Sequence, residues 1–127
     1  MLNSILAISL GASVGASMRW FLGFHFNQVW AVMPLGTLLA NMIGGLLVGL
    51  AVPWFSQQTG LAPEWRLLVI TGFLGGLTTF STFSAEVMEM IFEQRWLHAL
   101  ATGILHLCGS LFLTGTGFVV ARLFLSK

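Results

Sequence analysis

The stretch Gly72–Glu86 reads GFLGGLTTFSTFSAE and sets helix-breaking, hydroxyl-bearing and aromatic residues inside an otherwise apolar segment. Gly75 and Gly76 are poor helix formers, and glycine costs about 1 kcal/mol in a helix interior. Thr78 and Thr79 can divert backbone hydrogen bonds to their side chains. The pattern therefore predicts that a helix is interrupted here. Such backbone is tolerated at membrane depth only where it is buried in protein or lines a water-filled cavity.

The composition of the whole chain indicates a membrane protein. Hydrophobic residues make up 57% of the 127 residues, charged residues only 7%, and the mean hydropathy is +0.93. A soluble domain cannot be built on this composition. Apolar segments long enough to cross a bilayer, about 20 residues each, are Leu2–Phe24, Met33–Val52, Trp65–Phe92 and Trp96–Leu125. Residues 1–127 are therefore predicted to form one four-helix transmembrane domain, with the first segment retained and not cleaved as a signal peptide.

Tryptophan and proline support these boundaries. All five tryptophans lie at or beside the proposed span ends, where an amphipathic indole prefers to sit. The three prolines, Pro34, Pro53 and Pro63, are predicted to flank the spans and not to interrupt them. No nucleophile and base pair, metal-ligand spacing or phosphate-binding loop is found in the sequence, so the chain is predicted not to be an enzyme.

Positive residues are distributed almost evenly between the two membrane faces. One face would carry Arg66, Arg122 and Lys127, and the other Arg95 together with Arg19 if that side chain snorkels outward. Because orientation follows the imbalance of Lys and Arg, a chain so evenly weighted is expected to insert both ways and to form an antiparallel homodimer. Freed carbonyls at helix breaks coordinate cations in transporters. Two breaks meeting in such a dimer would therefore surround one Na⁺ ion with four carbonyls.

Polar side chains after the predicted break indicate a path for an ion. Phe80 and Phe83 share a helix face, Ser81 and Ser84 form a neighbouring ridge, and Thr82 and Glu86 are spaced to pair at i and i+4. Aromatic ring edges are electropositive, so the phenylalanines, presented edge-on, would stabilise a small anion. Core packing remains an alternative interpretation for them.

The second and fourth spans carry polar residues of their own. Asn41 is expected either to bond between helices or to donate to an ion, and the sequence does not choose. In the fourth span a line at steps of four contains Thr102, His106, Ser110 and Thr114. His106 is given a solvent-access or packing role, because a lone histidine needs partners before it acts as a ligand. Bonding of each hydroxyl to its own helix is the alternative interpretation for the Ser and Thr residues.

Three motifs carry a resemblance to the Fluc (CrcB) fluoride channel family: GASVGASMRW in the first span, GTLLANMIGG in the second and GFLGGLTTFSTFSAE in the third. The resemblance covers essentially the full length. It implies an antiparallel dual-topology dimer in the inner (plasma) membrane, surrounded by lipid and without a nucleic-acid partner. Two pores of this dimer would export fluoride passively and so provide fluoride resistance.

The resemblance also implies roles for individual residues. A central structural Na⁺ would be held by the carbonyls of Gly75 and Thr78, and Arg19 would be structural or form a vestibule. The residues implied along the fluoride path are Asn41, Phe80, Phe83, Thr37, Ser81, Thr82, Ser84, Ser110 and Thr114. The carboxylates of Glu86, Glu89 and Glu93 lie on the exit side of an anion path, and their role stays open.

Two other functions fit parts of the sequence. A small proton-coupled multidrug efflux transporter would share the four-span dual-topology architecture, but such proteins depend on a carboxylate deep in the first span, and this span has none. A haem-anchoring subunit would use His98 and His106, which are nearly on one helix face. Uptake of an aromatic cation driven by protons would favour the first alternative, and a Soret band the second.

Overall fold

The computed structural model describes residues 1–126, which fold into helices without strands. Helix α1 covers Leu2–Phe26, α2 covers Leu35–Gln57 and α6 covers Trp96–Leu125. The third span, Pro63–Phe92, consists of α3 (Pro63–Arg66), a π-helical segment (Leu67–Leu74), α4 (Gly75–Leu77) and α5 (Phe80–Phe92). All four spans are long and apolar enough to cross a membrane. The predicted all-α membrane fold with four spans is confirmed.

Helix α2 departs from its predicted bounds. It begins at Leu35 and continues to Gln57, so Pro53 lies inside the helix and does not flank it. The prediction for Pro53 was wrong because a proline removes only one backbone hydrogen bond, and membrane helices tolerate this where neighbouring groups and water satisfy the freed carbonyl. Pro34 caps the start of α2 and Pro63 is the first residue of α3, as predicted.

Glycines bring the spans into close contact in two pairs. Helix α1 packs along the π-helical segment and α4, and α2 packs along α6. A Cβ added to Gly72 would lie 2.7 Å from the Ile8 carbonyl oxygen, and one added to Gly76 would lie 2.7 Å from that of Ala12. Across the other pair, a Cβ on Gly117 would lie 2.5 Å from the Leu46 carbonyl oxygen. These backbones therefore approach more closely than any side chain would allow.

Two short connections define one end of the bundle, which we call the α1–α2 end. The link between α1 and α2 lies beside the turn between α5 and α6, where Arg95 donates from Nη2 to the carbonyls of Ala31 (2.8 Å) and Val32 (3.3 Å). Arg95 also pairs with Glu93 at 3.3 Å. Arg66, the last residue of α3, and Arg122, near the end of α6, lie towards the opposite end.

The third span contains two consecutive residues with extended backbone. Thr78 has φ −80° and ψ 150°, Thr79 has φ −150° and ψ 122°, and α5 begins at the next residue. Gly75 and Gly76 are themselves helical, so their low helix propensity does not decide where the helix ends. The side chain of Thr79 then caps α5, because its oxygen accepts a hydrogen bond from the N–H of Thr82 at 3.1 Å.

Candidate ion-conduction site

Asn41 of α2 supplies the hydrogen bonds that the extended backbone lacks. Its Oδ1 accepts from the N–H of Thr79 at 2.7 Å, and its Nδ2 donates to the carbonyl of the same residue at 2.9 Å. The second Nδ2 hydrogen is directed to Nδ1 of His106 on α6, at 3.0 Å. All three polar contacts of the amide are therefore interhelical, which favours the first of the two interpretations left open for Asn41.

A cavity of about 290 Å³ lies beside this cluster. The residues that line it are Asn41, Gly45, Thr78, Thr79, Phe80, Phe83, His106, Leu107 and Ser110. The cavity lining contains no charged side chain. Of the residues predicted for the ion path, the structure thus brings Asn41, Phe80, Phe83 and Ser110 to one wall, but not the remaining hydroxyls.

The two phenylalanines meet at an edge. The ring centroids of Phe80 and Phe83 are 5.5 Å apart with an interplanar angle of 66°. Phe83 stacks on the ring of His106, with centroids 4.5 Å apart and planes 23° apart. Phe80, the first residue of α5, is 78% exposed. Phe83 is thereby half-buried against His106, while Phe80 projects from the protomer surface.

Most of the predicted path hydroxyls are already engaged with protein groups. Ser84 donates to the carbonyl of Phe80 on its own helix at 2.8 Å, and Thr114 donates to the carbonyl of Gly45 at 3.0 Å. Ser81 shares a hydrogen bond of 3.3 Å with Thr79. The alternative interpretation, in which each hydroxyl bonds to its own helix, therefore describes Ser84 but not Thr114, whose partner carbonyl is on α2.

The predicted pairing of Thr82 with Glu86 was wrong. The hydroxyl of Thr82 accepts from that of Thr79 at 3.1 Å, because Thr79 caps this helix. Glu86 instead accepts from the hydroxyl of Thr37 on α2, at 2.5 Å. A contact between helices has replaced the one expected along a single helix.

Thr37 belongs to a second polar group at the α1–α2 end. It is 3% exposed, and its N–H donates to Oδ1 of Asn27 at 3.0 Å. Next to it is a cavity of about 270 Å³ whose lining includes Asn27, Glu86, Glu89, Glu93 and Arg95. Oε2 of Glu86 is buried and has no hydrogen-bond partner within residues 1–126. The three carboxylates thus gather at one end of the bundle, as the sequence indicated.

The carbonyls of Gly75 and Thr78 are released from helical bonding. In a continuous helix they would accept from the N–H groups of Thr79 and Thr82, but those groups donate to Asn41 and to the Thr79 side chain. The intervening carbonyl of Gly76 accepts from Nε of Arg19 at 3.0 Å. Arg19 therefore reaches the centre of the third span and does not snorkel outward.

Sequence reasoning missed the roles of two residues in these clusters. His106 shares a helix line with Ser110, but its contacts with Asn41 and Phe83 depend on three spans meeting. Asn27 follows α1 as an ordinary polar residue, and nothing in its surroundings in the sequence indicates that it contacts Thr37. Within residues 1–126, no group of three His, Cys, Asp or Glu side chains is placed to hold a metal ion.

Together the fold and the cavity define the class of small multi-pass membrane proteins with a polar site at an interrupted helix. Residues 6–118 match the family described as "CrcB-like protein, Camphor Resistance (CrcB)". The chain belongs to this family, and the resemblance drawn from its three motifs is confirmed.

Individual relatives agree with this assignment. The chain is 59% identical to the fluoride-specific ion channel FluC of Pseudomonas putida (strain W619), with 92% of each chain covered. Identity to the FluC proteins of Tolumonas auensis and Pseudomonas aeruginosa (strain UCBPP-PA14) is 56% and 52%, with 97% and 100% of each chain covered. Because these relatives are named as ion channels, the prediction that the chain is not an enzyme is confirmed. The multidrug transporter alternative receives no support from them.

Proposed function

We propose that this chain is a fluoride channel that lets fluoride leave the cell passively. The observation that carries the proposal is the uncharged cavity at Thr78 and Thr79, walled by Phe80, Phe83 and the Asn41–His106 pair. Relatives with more than half of their residues identical bear the name fluoride-specific ion channel. Both lines of support concern the same segment, since the phenylalanines lie in the motif that first suggested the family.

The chemistry of the cavity suits a small anion that must not bind too tightly. Ring edges, a hydroxyl and an N–H can replace part of a hydration shell, whereas a fixed positive charge would hold the ion in place. The cavity supplies donors without such a charge. Ring edges are weak donors, which is compatible with entry and release in quick succession.

A second, antiparallel copy would complete the site. Phe80 is 78% exposed and Gly75 is exposed, so both the aromatic ring and the glycine that carries one of the released carbonyls lie at the protomer surface. With Arg19 held at the third span, the sequence sets Arg66, Arg122 and Lys127 on one face against Arg95 on the other. A difference of only two positive residues is a weak bias, which permits both orientations. In the proposed dimer the exposed phenylalanine of each protomer borders the other's cavity, giving two paths across the inner (plasma) membrane.

The released carbonyls fit a Na⁺ ion at the centre of this dimer. Oxygen donors suit a hard cation, and the diversion of the Thr79 and Thr82 N–H groups leaves the Gly75 and Thr78 carbonyls without helical partners. Arg19 donates a hydrogen bond to the carbonyl of Gly76, which lies between them. When bound, the ion would neutralise these dipoles and join the two protomers. The chain's own contribution is to keep the Gly75 carbonyl out of helical bonding through the Asn41 amide, and the Thr78 carbonyl through the Thr79 side chain.

Fluoride efflux from liposomes tests the proposal. Vesicles loaded with potassium fluoride and reconstituted with the protein are treated with valinomycin, and a fluoride electrode records release. We expect rapid fluoride release, little release of chloride from matched vesicles, and strong inhibition in Phe80→Ile and Phe83→Ile. Protein-free vesicles provide the background. Comparable chloride release, or unaltered fluoride release from both variants, would show that the cavity is not the path.

A further inference from the structure

The ring of His106 is one of the few polar groups enclosed within a protomer. It is 4% exposed and forms part of the wall of the 290 Å³ cavity. Nδ1 receives the hydrogen bond from Asn41, and one ring face covers Phe83. Nε2 is buried and has no hydrogen-bond partner within residues 1–126. A buried donor without a partner costs about 1–3 kcal/mol, so its retention calls for an explanation.

The hydrogen-bond network assigns the tautomer of this ring. Oδ1 of Asn41 faces the N–H of Thr79, and Nδ2 faces the carbonyl of the same residue. These two contacts exclude a flipped amide, so the group directed at Nδ1 of His106 is an N–H donor. Nδ1 must then accept, and the proton of the neutral imidazole is on Nε2. The unpartnered atom is therefore an N–H donor.

Asn41 itself has little left to offer an ion. Its two Nδ2 hydrogens are used by Thr79 and His106. The amide of Asn41 thus sets the tautomer of the ring, and Nε2–H is left as a donor without a protein partner in a residue that lines the cavity. Stacking on Phe83 restrains the ring and holds that N–H beside an aromatic ring of the predicted path.

We propose that the Nε2–H of His106 is a further hydrogen-bond donor to the anion in this cavity. The inference rests on the proposed fluoride channel function and extends it to a residue to which the sequence assigned only a packing or solvent-access role. A neutral N–H suits this place because it interacts with an unsolvated anion more strongly than a ring edge does, yet adds no charge to a wall that has none. The entering anion supplies the acceptor that Nε2–H lacks in the protein.

Nuclear magnetic resonance of the intact wild-type protein tests the contact directly. The full chain, labelled with ¹⁵N-histidine, is held in detergent micelles and titrated with NaF or with NaCl at equal ionic strength. We expect the His106 Nε2–H proton to move downfield in fluoride and to split through coupling to fluorine, the splitting collapsing on ¹⁹F decoupling. His25 and His98 are internal controls. An unshifted His106 signal at fluoride concentrations that support flux would overturn the inference.

A pair of substitutions separates donation to the ion from support of Asn41. His106→Gln places an amide N–H near the Nε2 position but loses the Nδ1 acceptor, whereas His106→Asn keeps an acceptor for Asn41 and loses the donor. We expect fluoride flux in His106→Asn to be about tenfold lower than in His106→Gln, the factor typical of a lost hydrogen bond to a charged group. His98→Asn, the same change on the same helix outside the cavity, is the matched control.

The outcomes distinguish this inference from the function on which it rests. If the wild-type protein releases no fluoride from vesicles, the channel function fails first. If wild type conducts while His106→Asn matches it, or while His106→Gln is the slower variant, His106 acts only through Asn41 and the inference is overturned. If both variants lose flux or fail to assemble, the fluoride-dependent splitting in the wild-type spectrum decides.

Discussion

Removing the amide of Asn41 should destabilise the third span at a single point. Asn41 makes two hydrogen bonds to Thr79 and one to His106. Hydrogen bonds between membrane helices contribute about 0.6 kcal/mol each on average, so losing all three costs roughly 2 kcal/mol. This corresponds to a change of about 30-fold in the unfolding equilibrium. Because α5 begins directly after Thr79, the loss should destabilise the backbone at the junction of α4 and α5.

Two variants of Asn41 separate hydrogen bonding from side-chain volume. Asn41→Ala removes the bonds and leaves a cavity, whereas Asn41→Leu removes the bonds and keeps a side chain of similar size. Reversible unfolding in mixed micelles, followed by tryptophan fluorescence, gives the free energies. Amide hydrogen exchange reports on Thr79 itself, which we expect to exchange faster in both variants. Ser84→Ala is the control, because that hydroxyl bonds only within its own helix.

Unchanged stability of Asn41→Leu would contradict this role of the amide. If Asn41→Leu unfolds with a free energy within about 0.5 kcal/mol of the wild type, less than one average membrane hydrogen bond, the amide does not hold the extended segment. An unaltered exchange rate at Thr79 would lead to the same conclusion. A loss of similar size in Ser84→Ala would show that any polar deletion at this depth is costly and that the Asn41 contacts are not special.

Three further expectations follow from the packing and the ends of the bundle. Gly49→Ala should destabilise the protein by about 1–3 kcal/mol, because the new Cβ would meet the Thr114 carbonyl. Gly103→Ala, which has open space around it, should leave the stability unchanged. Thermal denaturation of the two variants compares them. Arg95→Ala should accelerate hydrogen exchange in residues 28–34, since it releases the carbonyl of Ala31, while global stability falls by no more than about 1 kcal/mol. Replacing Na⁺ by N-methylglucamine should lower the melting temperature of the purified protein and increase the monomer fraction in size-exclusion chromatography, and unchanged values would exclude the proposed central ion.

Local sequence patterns predict the spans and their approximate ends well. Length and apolarity are sufficient for four membrane-crossing helices, since every backbone group at that depth must be satisfied within the segment. Tryptophans at the span ends support the boundaries for a related reason, because indole prefers the interface. The second span extends past Pro53 because a proline removes only one backbone hydrogen bond, a loss that membrane helices tolerate.

Pairings between spans were predicted less well. Spacing along one helix suggested that Thr82 meets Glu86, but the Thr79 cap and the approach of Thr37 from α2 outcompete that contact. The two interpretations of Asn41 likewise could not be separated in sequence, because an isolated amide is compatible with either. The partner of each polar side chain is set by which spans lie side by side.

Apolar length and the motif Gly72–Glu86 determined by themselves that this chain crosses the membrane four times and belongs to its family. Each of these properties follows from the residues of a single segment and needs no contact with another segment. Only the tertiary structure decided that Asn41 holds Thr79, that Arg19 reaches Gly76 and that His106 lines the cavity and carries an unpaired N–H. Each of these contacts joins residues at least 38 positions apart or depends on one that does, so the packing of glycine-bearing helix faces had to bring them together first.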